Sequence, residues 1–403
     1  MIPFSPPRID QEIIDAVTET LRSGWITTGP KTKAFERELT KFAGHQATLC
    51  VSSATAGLEL ILRWYGVGEG DEVIIPAYTY AATANVVVHC GAKPVFADIC
   101  DDFNISLDGI EKAITIRTKV IIPVDIAGFP CDYDEINALV KRPDIQRLFQ
   151  PWNQQQKELN RILVLSDSAH SIGAWYKGKR AGNLTDISVY SFHAVKNLTT
   201  AEGGAICFNL PAPFDNQKIY DRLNVSALHG QDKDAFAKAQ KGNWRYDIVE
   251  PGFKSNMTDI LASIGLVELA RYDLDNLVRR KQIFDQYKDS LHNYPWAQLP
   301  EYENENKRSS YHVFLLRIKG ITEIQRDQII QKIFDQDVAV NVHFIPLPMM
   351  SFYKNTGYRI EDYPVSYDNY SREITLPVYY DLGDDQVKTV IAAVTDAVQA
   401  IIG

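Results

Sequence analysis

Two side chains in one short stretch have the types and spacing to do acid–base and covalent chemistry together. In VLSDSAHSIGAWYKGKRAGNLTDISVYSFHAVKNLTTAEGGAICF, residues 164–208, an apolar run ends at Asp167, and a second apolar run leads into SFHAVKNLTTAEGG, which carries Lys196. Ligands of open α/β sheets bind beyond the carboxyl ends of the strands, so an acid and an amine placed there suggest a catalytic pair. Between apolar Val195 and polar Asn197, the Lys196 amine would be partly desolvated, which lowers its pKa toward nucleophilic use. Composition alone favours the other reading, a solvated lysine in a polar loop, because most lysines are exposed. A second element, Val51-Ser52-Ser53-Ala54-Thr55-Ala56-Gly57-Leu58, reads as a strand end, a small-residue turn and a helix start. Backbone amides and hydroxyls at such a start can hold an anion. An ordinary Ser/Thr N-cap has the same appearance.

The elements that must position these groups come from hydrophobic periodicity. From about residue 9 to 208, short β-branched runs (Val73-Ile74-Ile75, Pro94-Val95-Phe96, Val120-Ile121-Ile122, Ile162 to Leu165, Ile187 to Tyr190, Ala205 to Cys207) alternate with helical stretches such as 55–65 and 80–89. Near-continuous apolar runs of this kind are strands covered on both faces, so the pattern predicts a mostly parallel α/β sheet. Residues 141–161 are polar and Gln-rich and read as a surface insertion; 210–249 is similarly polar and irregular. From 257 a helical pattern runs far enough to bridge two domains or to break into two helices. After it come a strand-like run at 311–318, a helix near 322–335, a short VAVNV and a closing helix near 384–402. In that last helix Val387, Val390, Ile391, Val394, Val398 and Ile401 form one stripe of a 3.6-residue period. The expected organisation is a large α/β domain over 1–256, and a bridging helix with a smaller C-terminal α/β domain over 257–403.

Composition narrows the function class. The chain has 403 residues, 45% hydrophobic and 23% charged, with 20 Tyr, 17 Phe and 6 Trp, enough to bury a sizeable core rather than remain disordered. A net charge of -9 argues against nucleic-acid binding as the main task. No apolar run approaches the ~20 residues of a spanning helix, and the start MIPFSPPRIDQEII has no secretory pattern, so membrane insertion and export are not expected. Five cysteines with no C-x-x-C pair fit free thiols in a reducing cytoplasm, with no metal site. The near-match Gly173 to Arg180 to a P-loop ends in Arg where a Mg²⁺-holding hydroxyl is needed and alternates like a hairpin rather than opening a helix, and no G-x-G-x-x-G follows a strand.

Taken in order, GWITTGPKTKAFERELTKF, VSSATAGLEL, GDEVIIPAYTYAATANVV, GAKPVFADI, SDSAHSIGA, SFHAVKNLTTAEGG, GFKSNMTDILASIGLVEL and HFIPLP span nearly the whole chain. This series resembles the DegT/DnrJ/EryC1/StrS family of nucleotide-sugar aminotransferases. The resemblance implies the fold-type I, aspartate-aminotransferase-like architecture of enzymes that use pyridoxal 5'-phosphate (PLP), with a large, mostly parallel seven-stranded sheet. By that resemblance Lys196 is the Schiff-base lysine and proton carrier, and Asp167 the carboxylate under the pyridine nitrogen. His170 matches a position contacting the cofactor ring, with a packed core histidine as its competitor. Tyr80 matches the aromatic that stacks on that ring, or is a core tyrosine. Thr55, Ala56 and Ser191 match the phosphate cup. Lys254 falls where many relatives carry an Asn that reaches the phosphate from the neighbouring subunit, which implies a homodimer with a shared site; a solvated lysine is the alternative.

The activity implied is ping-pong transfer of an amino group from L-glutamate to a 3- or 4-keto deoxyhexose linked to a nucleotide, in amino-sugar or surface-polysaccharide biosynthesis. The alternatives are a PLP-dependent sugar dehydratase, disfavoured by Lys at 196, and a PLP-binding regulator without activity. Departures from the family pattern are Ala54 where Gly is usual, Gly57 where Ala is usual, and Ser166 in place of Glu. His312 and His343 align with motifs near the sugar-nucleotide site, and Trp25 to Gly29 reads as a lip over the acceptor or as packing.

Overall fold

The computed structural model describes residues 1–233 and 245–403; part of the irregular 210–249 stretch, residues 234–244, lies outside the described residues. Strands β1 (Ala47–Val51), β2 (Glu72–Pro76), β3 (Lys93–Ala97), β4 (Thr118–Ile121), β5 (Leu163–Asp167), β8 (Ile187–Ser191) and β9 (Gly204–Phe208) form one seven-stranded sheet. Its order is β1-β9-β8-β5-β4-β2-β3. β9 runs antiparallel to both neighbours, and the other pairings are parallel. Every residue of β1, β2, β4, β5, β8 and β9 is buried, as continuous apolar runs require of a sheet covered on both faces. β6 (Trp175–Tyr176) and β7 (Lys179–Arg180) are the expected hairpin in place of a P-loop.

A second sheet of β10 (Ala297–Gln298), β12 (Phe314–Ile318) and β13 (Glu373–Leu376) lies in the C-terminal part, while β11 (Lys307–Arg308) reaches back to pair with β6. The closing helix Asp384–Ile402 buries Val387, Val390, Val394 and Val398 from the stripe, with Ile391 and Ile401 partly covered. We propose the domain boundary near 256 because all strands of the large sheet precede it and β10, β12 and β13 follow it. One hydrophobic core nonetheless draws Phe35, Tyr190 and Phe192 together with Ile283, Leu316 and Val394.

Several segments carry more structure than the sequence reading gave them. Residues 141–161, between the helix Tyr133–Leu139 and β5, contain the short helices Pro143–Leu148 and Gln154–Leu159, and Ile145, Phe149 and Leu159 are buried. Asn153 and Gln156 donate to the Tyr65 carbonyl at 2.9 and 3.0 Å, so polar residues here do the anchoring that an apolar stripe does elsewhere. The helix Asn216–Ser226, capped by the Asp215 carboxylate, orders part of the stretch read as irregular. VAVNV makes only isolated bridges, Val338 to Ile2 and Asn341 to Thr375.

The long helix neither runs straight nor splits. Asp259–Arg271 passes through a π turn, Tyr272–Asn276, into Leu277–Leu291. The extra residue of a π turn rotates side chains out of helical register. Here Tyr272 Oη donates to the Ile172 carbonyl at 2.7 Å, and Asn276 Nδ2 to the Asn197 carbonyl at 2.6 Å, next to Lys196. At its start, the buried Asp259 carboxylate accepts from the amides of Gly29, Lys31 and Thr32 at 2.7, 3.0 and 2.9 Å, and from Thr32 Oγ1 at 2.7 Å. That cluster ties the N-terminal helix Pro30–Ala43 to the long helix. Trp25 Nε1 bonds the Thr28 carbonyl and Thr28 Oγ1 the Met257 carbonyl, which fixes the Trp25 to Gly29 segment against the start of the long helix. Among the described residues no helix is long and apolar enough to cross a membrane. Asp259→Ala leaves four donors without their acceptor and is expected to lower stability by about 3 kcal/mol in urea unfolding; a loss below about 0.5 kcal/mol, the level of an ordinary surface change, would contradict this role.

Candidate active site

Asp167 ends β5 with its carboxylate buried, and two donors fix it. Thr83 Oγ1 donates to Oδ2 at 2.9 Å and the Ala169 amide to Oδ1 at 3.2 Å. Thr83 is in the first turn of helix Ala81–His89, whose N-cap is Tyr80, so the same turn presents Thr83 inward and Tyr80 outward. Burial pushes the Asp167 carboxyl up, against its hydrogen bonds and the charge of Lys196.

Lys196 lies in the turn after β8, where its amide donates to the His193 carbonyl at 2.9 Å. The residue keeps some solvent contact, but burial of the amine brings its pKa down to about 8, against the opposing pull of Asp167. The desolvation expected from its neighbours is therefore present, and the solvated-loop alternative is not what the structure holds. The neighbouring Asn197 fixes the turn: its Nδ2 donates to the Ser310 carbonyl at 2.7 Å, and its Oδ1 lies 2.7 Å from His312 Nδ1.

Three histidines surround this pair. His170 is buried, its ring 4.3 Å from that of His312 and stacked at 5.9 Å on Phe344. Burial and then the Lys196 charge hold His170 well below the usual histidine range, so it is a neutral ring. Its Nδ1 is buried without a hydrogen-bond partner. His312, depressed by burial and by His170 and Lys196, and His343, brought down to about 4 by burial and Lys196, are neutral as well. Tyr80 is 64% exposed, and its ring lies 5.9 Å from that of Phe344, tilted at 46°. The tyrosine is thus at the rim and not in the core.

Thr55 and Ala56 form a second pole, at the start of helix Ala54–Trp64. Ser53 caps that helix by accepting from the Ala56 amide at 3.1 Å, so the cap and the proposed anion turn are the same structure. The Ala56 amide is thereby occupied, and Ala54 and Thr55 supply the remaining first-turn amides. Two glycines let the turn sit close to the sheet. A Cβ on Gly57 would meet Val189 Cγ1 at 2.9 Å, and one on Gly204 would meet the Ala54 amide nitrogen at 2.5 Å and the Ser53 carbonyl carbon at 2.6 Å. Gly204 pairs with Ser191, which brings that hydroxyl to the same end of the sheet. Lys254 is exposed and its amine bonds Asn256 Oδ1; its segment runs beside the turn through the Ser52 amide and the Ser255 carbonyl, 2.7 Å apart. Within one chain it does not join the Lys196 cluster.

Sequence reading passed over Thr83, Asn197 and Phe344, and gave His312 and His343 no role. Thr83 was detectable as the residue one helical turn after Tyr80; Phe344 and the histidines depend on tertiary contacts that no local pattern encodes. Gly204→Ala forces a Cβ against backbone that cannot rotate away, and is expected to cost about 1–3 kcal/mol together with weaker binding of inorganic phosphate at the turn. Unchanged melting and phosphate affinity would contradict the close approach.

A model of the DegT/DnrJ/EryC1/StrS aminotransferase family matches residues 7–395. The chain is 39% identical over 397 residues to an uncharacterized protein of Methanocaldococcus jannaschii, covering 98% of this chain and 96% of that one. It is 36% identical over 407 residues to the spore coat polysaccharide biosynthesis protein SpsC of Bacillus subtilis, covering 99% and 97%. Among solved structures, a Streptococcus pneumoniae protein assigned as a sugar aminotransferase superposes in its PMP form with a TM-score of 0.96 at 45% identity over 100% of both chains. Its PLP form gives 0.94 at 44% identity. With a matching fold and nearly its whole length covered, this chain belongs to the DegT/DnrJ/EryC1/StrS aminotransferase family.

Proposed function

We propose that this protein is a PLP-dependent aminotransferase that moves an amino group from L-glutamate to a nucleotide-linked 3- or 4-keto deoxyhexose. The observation that carries this reading is the amine of Lys196, lowered to about 8, in one cluster with the buried, hydrogen-bonded Asp167 carboxylate. The residues present fit the cofactor. An unpaired buried nitrogen on His170, an aromatic face on Tyr80 open to solvent, and a glycine-cradled helix start are the complementary groups for a ring hydroxyl, a ring face and a phosphate. A 45%-identical relative solved in PMP and PLP forms supports the same cofactor here.

When bound, PLP supplies an aldehyde that carries the amino group and an aromatic sink for the electron pair left by deprotonation. The chain's own residues do the rest. Lys196, with a pKa near 8, has a substantial neutral fraction near physiological pH and can attack a carbonyl carbon, and afterwards take or give a proton. Asp167, held by Thr83 and Ala169, would keep a proton on the pyridine nitrogen. Tyr80 would cover one ring face. Thr55, the first-turn amides and Ser191 would hold the phosphate as a dianion. Neutral His170, His312 and His343 line the site without adding positive charge that would compete for the Asp167 carboxylate.

Ile248, Val249 and Phe253 are exposed close in sequence to Lys254, and exposed apolar residues there support a homodimer, with Lys254 contributed across the interface. All five cysteines are free thiols, in keeping with a reducing cytoplasm. The test is to incubate the purified protein with PLP and L-glutamate against a panel of keto nucleotide sugars, and to identify products by mass spectrometry and NMR. An amino sugar is expected, with Lys196→Ala slower by at least ~10²-fold. A deoxygenated product, or full turnover by Lys196→Ala, would overturn the proposal.

A further inference from the structure

The segment carrying His343 is registered against β13. Asn341 and Thr375 exchange backbone hydrogen bonds of 3.1 and 2.7 Å, which puts His343 opposite Glu373. Glu373 and Thr375, two residues apart on one strand, share a face. Three contacts result: the His343 amide donates to Glu373 Oε2 at 3.1 Å, Thr375 Oγ1 donates to Glu373 Oε1 at 2.6 Å, and Thr375 Oγ1 lies 3.1 Å from His343 Nδ1. The other ring nitrogen, Nε2, has no hydrogen-bond partner among the described residues. The ring is stacked on Phe4 at 5.5 Å and is close enough to Lys196 for that charge to lower its pKa.

A threonine hydroxyl has one hydrogen, so this chain of contacts has only two consistent polarities. With Glu373 ionised, Thr375 gives its hydrogen to Oε1. The Nδ1 contact must then be Nδ1–H donating to Oγ1, and Nε2 is a bare acceptor. With Glu373 neutral, Oε2 still accepts the His343 amide, so the acid hydrogen sits on Oε1 and points at Thr375. The hydroxyl then turns toward Nδ1, and the ring hydrogen is on Nε2. Passing from the neutral to the ionised form, the Nε2–H bond breaks and its proton leaves. The Oγ1 hydrogen binds Nδ1, the Oε1 hydrogen replaces it on Oγ1, and the negative charge remains on Glu373.

We propose that Glu373 and Thr375 are positioning residues that select the tautomer of His343, so that its other ring nitrogen, Nε2, is a hydrogen-bond donor when Glu373 is protonated and an acceptor when it is ionised. The use of this switch rests on the aminotransferase reading: a donor polarises a keto oxygen, and an acceptor receives the ammonium group of an amino acid. The charge environment allows it to operate near neutral pH. Glu373 is fully buried, and burial raises it to about 8 against its bonds from Thr375 and His343 and the charges of Arg326 and Arg317. Arg317 faces it from β12, Arg326 from the helix Glu323–Phe334, Tyr78 from the loop after β2, and His343 from the opposite segment. The arginines stay charged, the Tyr78 phenol is raised far above its ordinary value and His343 is held near 4, so Glu373 is the member of this group that titrates near neutral pH; Lys196, whose charge reaches His343, also falls to about 8, and Glu373→Gln, which leaves that amine in place, separates the two.

Full-length protein labelled with ¹⁵N-histidine tests this directly, with the His343 signals identified by their loss in His343→Gln. The expected result is a change from the Nε2–H to the Nδ1–H form with a midpoint near pH 8. The change is retained in Thr375→Ser and lost in Thr375→Val, whose circular dichroism matches the parent. Glu373→Gln, which cannot ionise, is expected to hold one tautomer at all pH values and decides the matter if Thr375→Val does not fold. A parent protein with one tautomer throughout, or either variant titrating like the parent, would overturn the proposal. Ring ¹⁵N shifts need no turnover. A switching protein without transamination would therefore overturn only the functional reading, and an active aminotransferase with a fixed tautomer only this one.

Discussion

A carboxylate taken out of water must be paired or hydrogen-bonded, and that requirement at Asp167 organises the rest of this molecule. The group sits at the end of a fully buried strand, and Thr83 and Ala169 are the two fixed donors that hold it. A buried anion draws a buried cation, and Lys196 is within its field. Neither group is at ease alone. Burial raises the carboxyl of one and lowers the amine of the other, and each opposes the shift in its partner. A site of this kind has a free-energy cost in the isolated chain and a use once a cationic ring nitrogen and an electrophilic carbon are present.

The scaffold converts that local tension into geometry. The π turn at Tyr272–Asn276 aims a phenol and an amide at the loops beside Asp167 and Lys196, and Arg280, one turn further, donates to the carbonyls of Tyr311, His312 and Val378. The long helix is thereby bonded both to the Lys196 turn and to the histidine-bearing segment of the C-terminal part. Glu373 extends the same pattern from β13, so both sheets supply a buried acid to one cluster of neutral histidines. Packing near the phosphate turn obeys a different constraint: Gly57 and Gly204 are there because backbone and sheet approach too closely for a side chain.

Much of this was legible in the chain. Continuous apolar runs marked six strands of the large sheet because strands buried on both faces have no polar register to hide them. The closing helix announced itself by its stripe, and the hairpin at 175–180 by its alternation. What escaped were elements held by polar side chains: the Gln-rich helices anchored through Asn153 and Gln156, and the helix that Asp215 caps. The strand Glu373–Leu376 carries a carboxyl and a hydroxyl in a buried setting, the reverse of what a hydrophobic pattern seeks. Lys196 and Asp167 could be named from motif order. The histidine cluster could not, since His170, His312 and His343 are far apart in sequence and meet only through folding.

The central claim is that Asp167 keeps a proton on the nitrogen of a bound pyridine ring. Its most direct test is the ¹⁵N chemical shift of PLP labelled at that nitrogen, bound to the parent protein and to Asp167→Ala. The expected outcome is a protonated-pyridinium shift in the parent, independent of pH across the neutral range, and an unprotonated shift in the variant at the same pH. An unprotonated ring nitrogen in the parent, or the same shift in both proteins, would contradict the account.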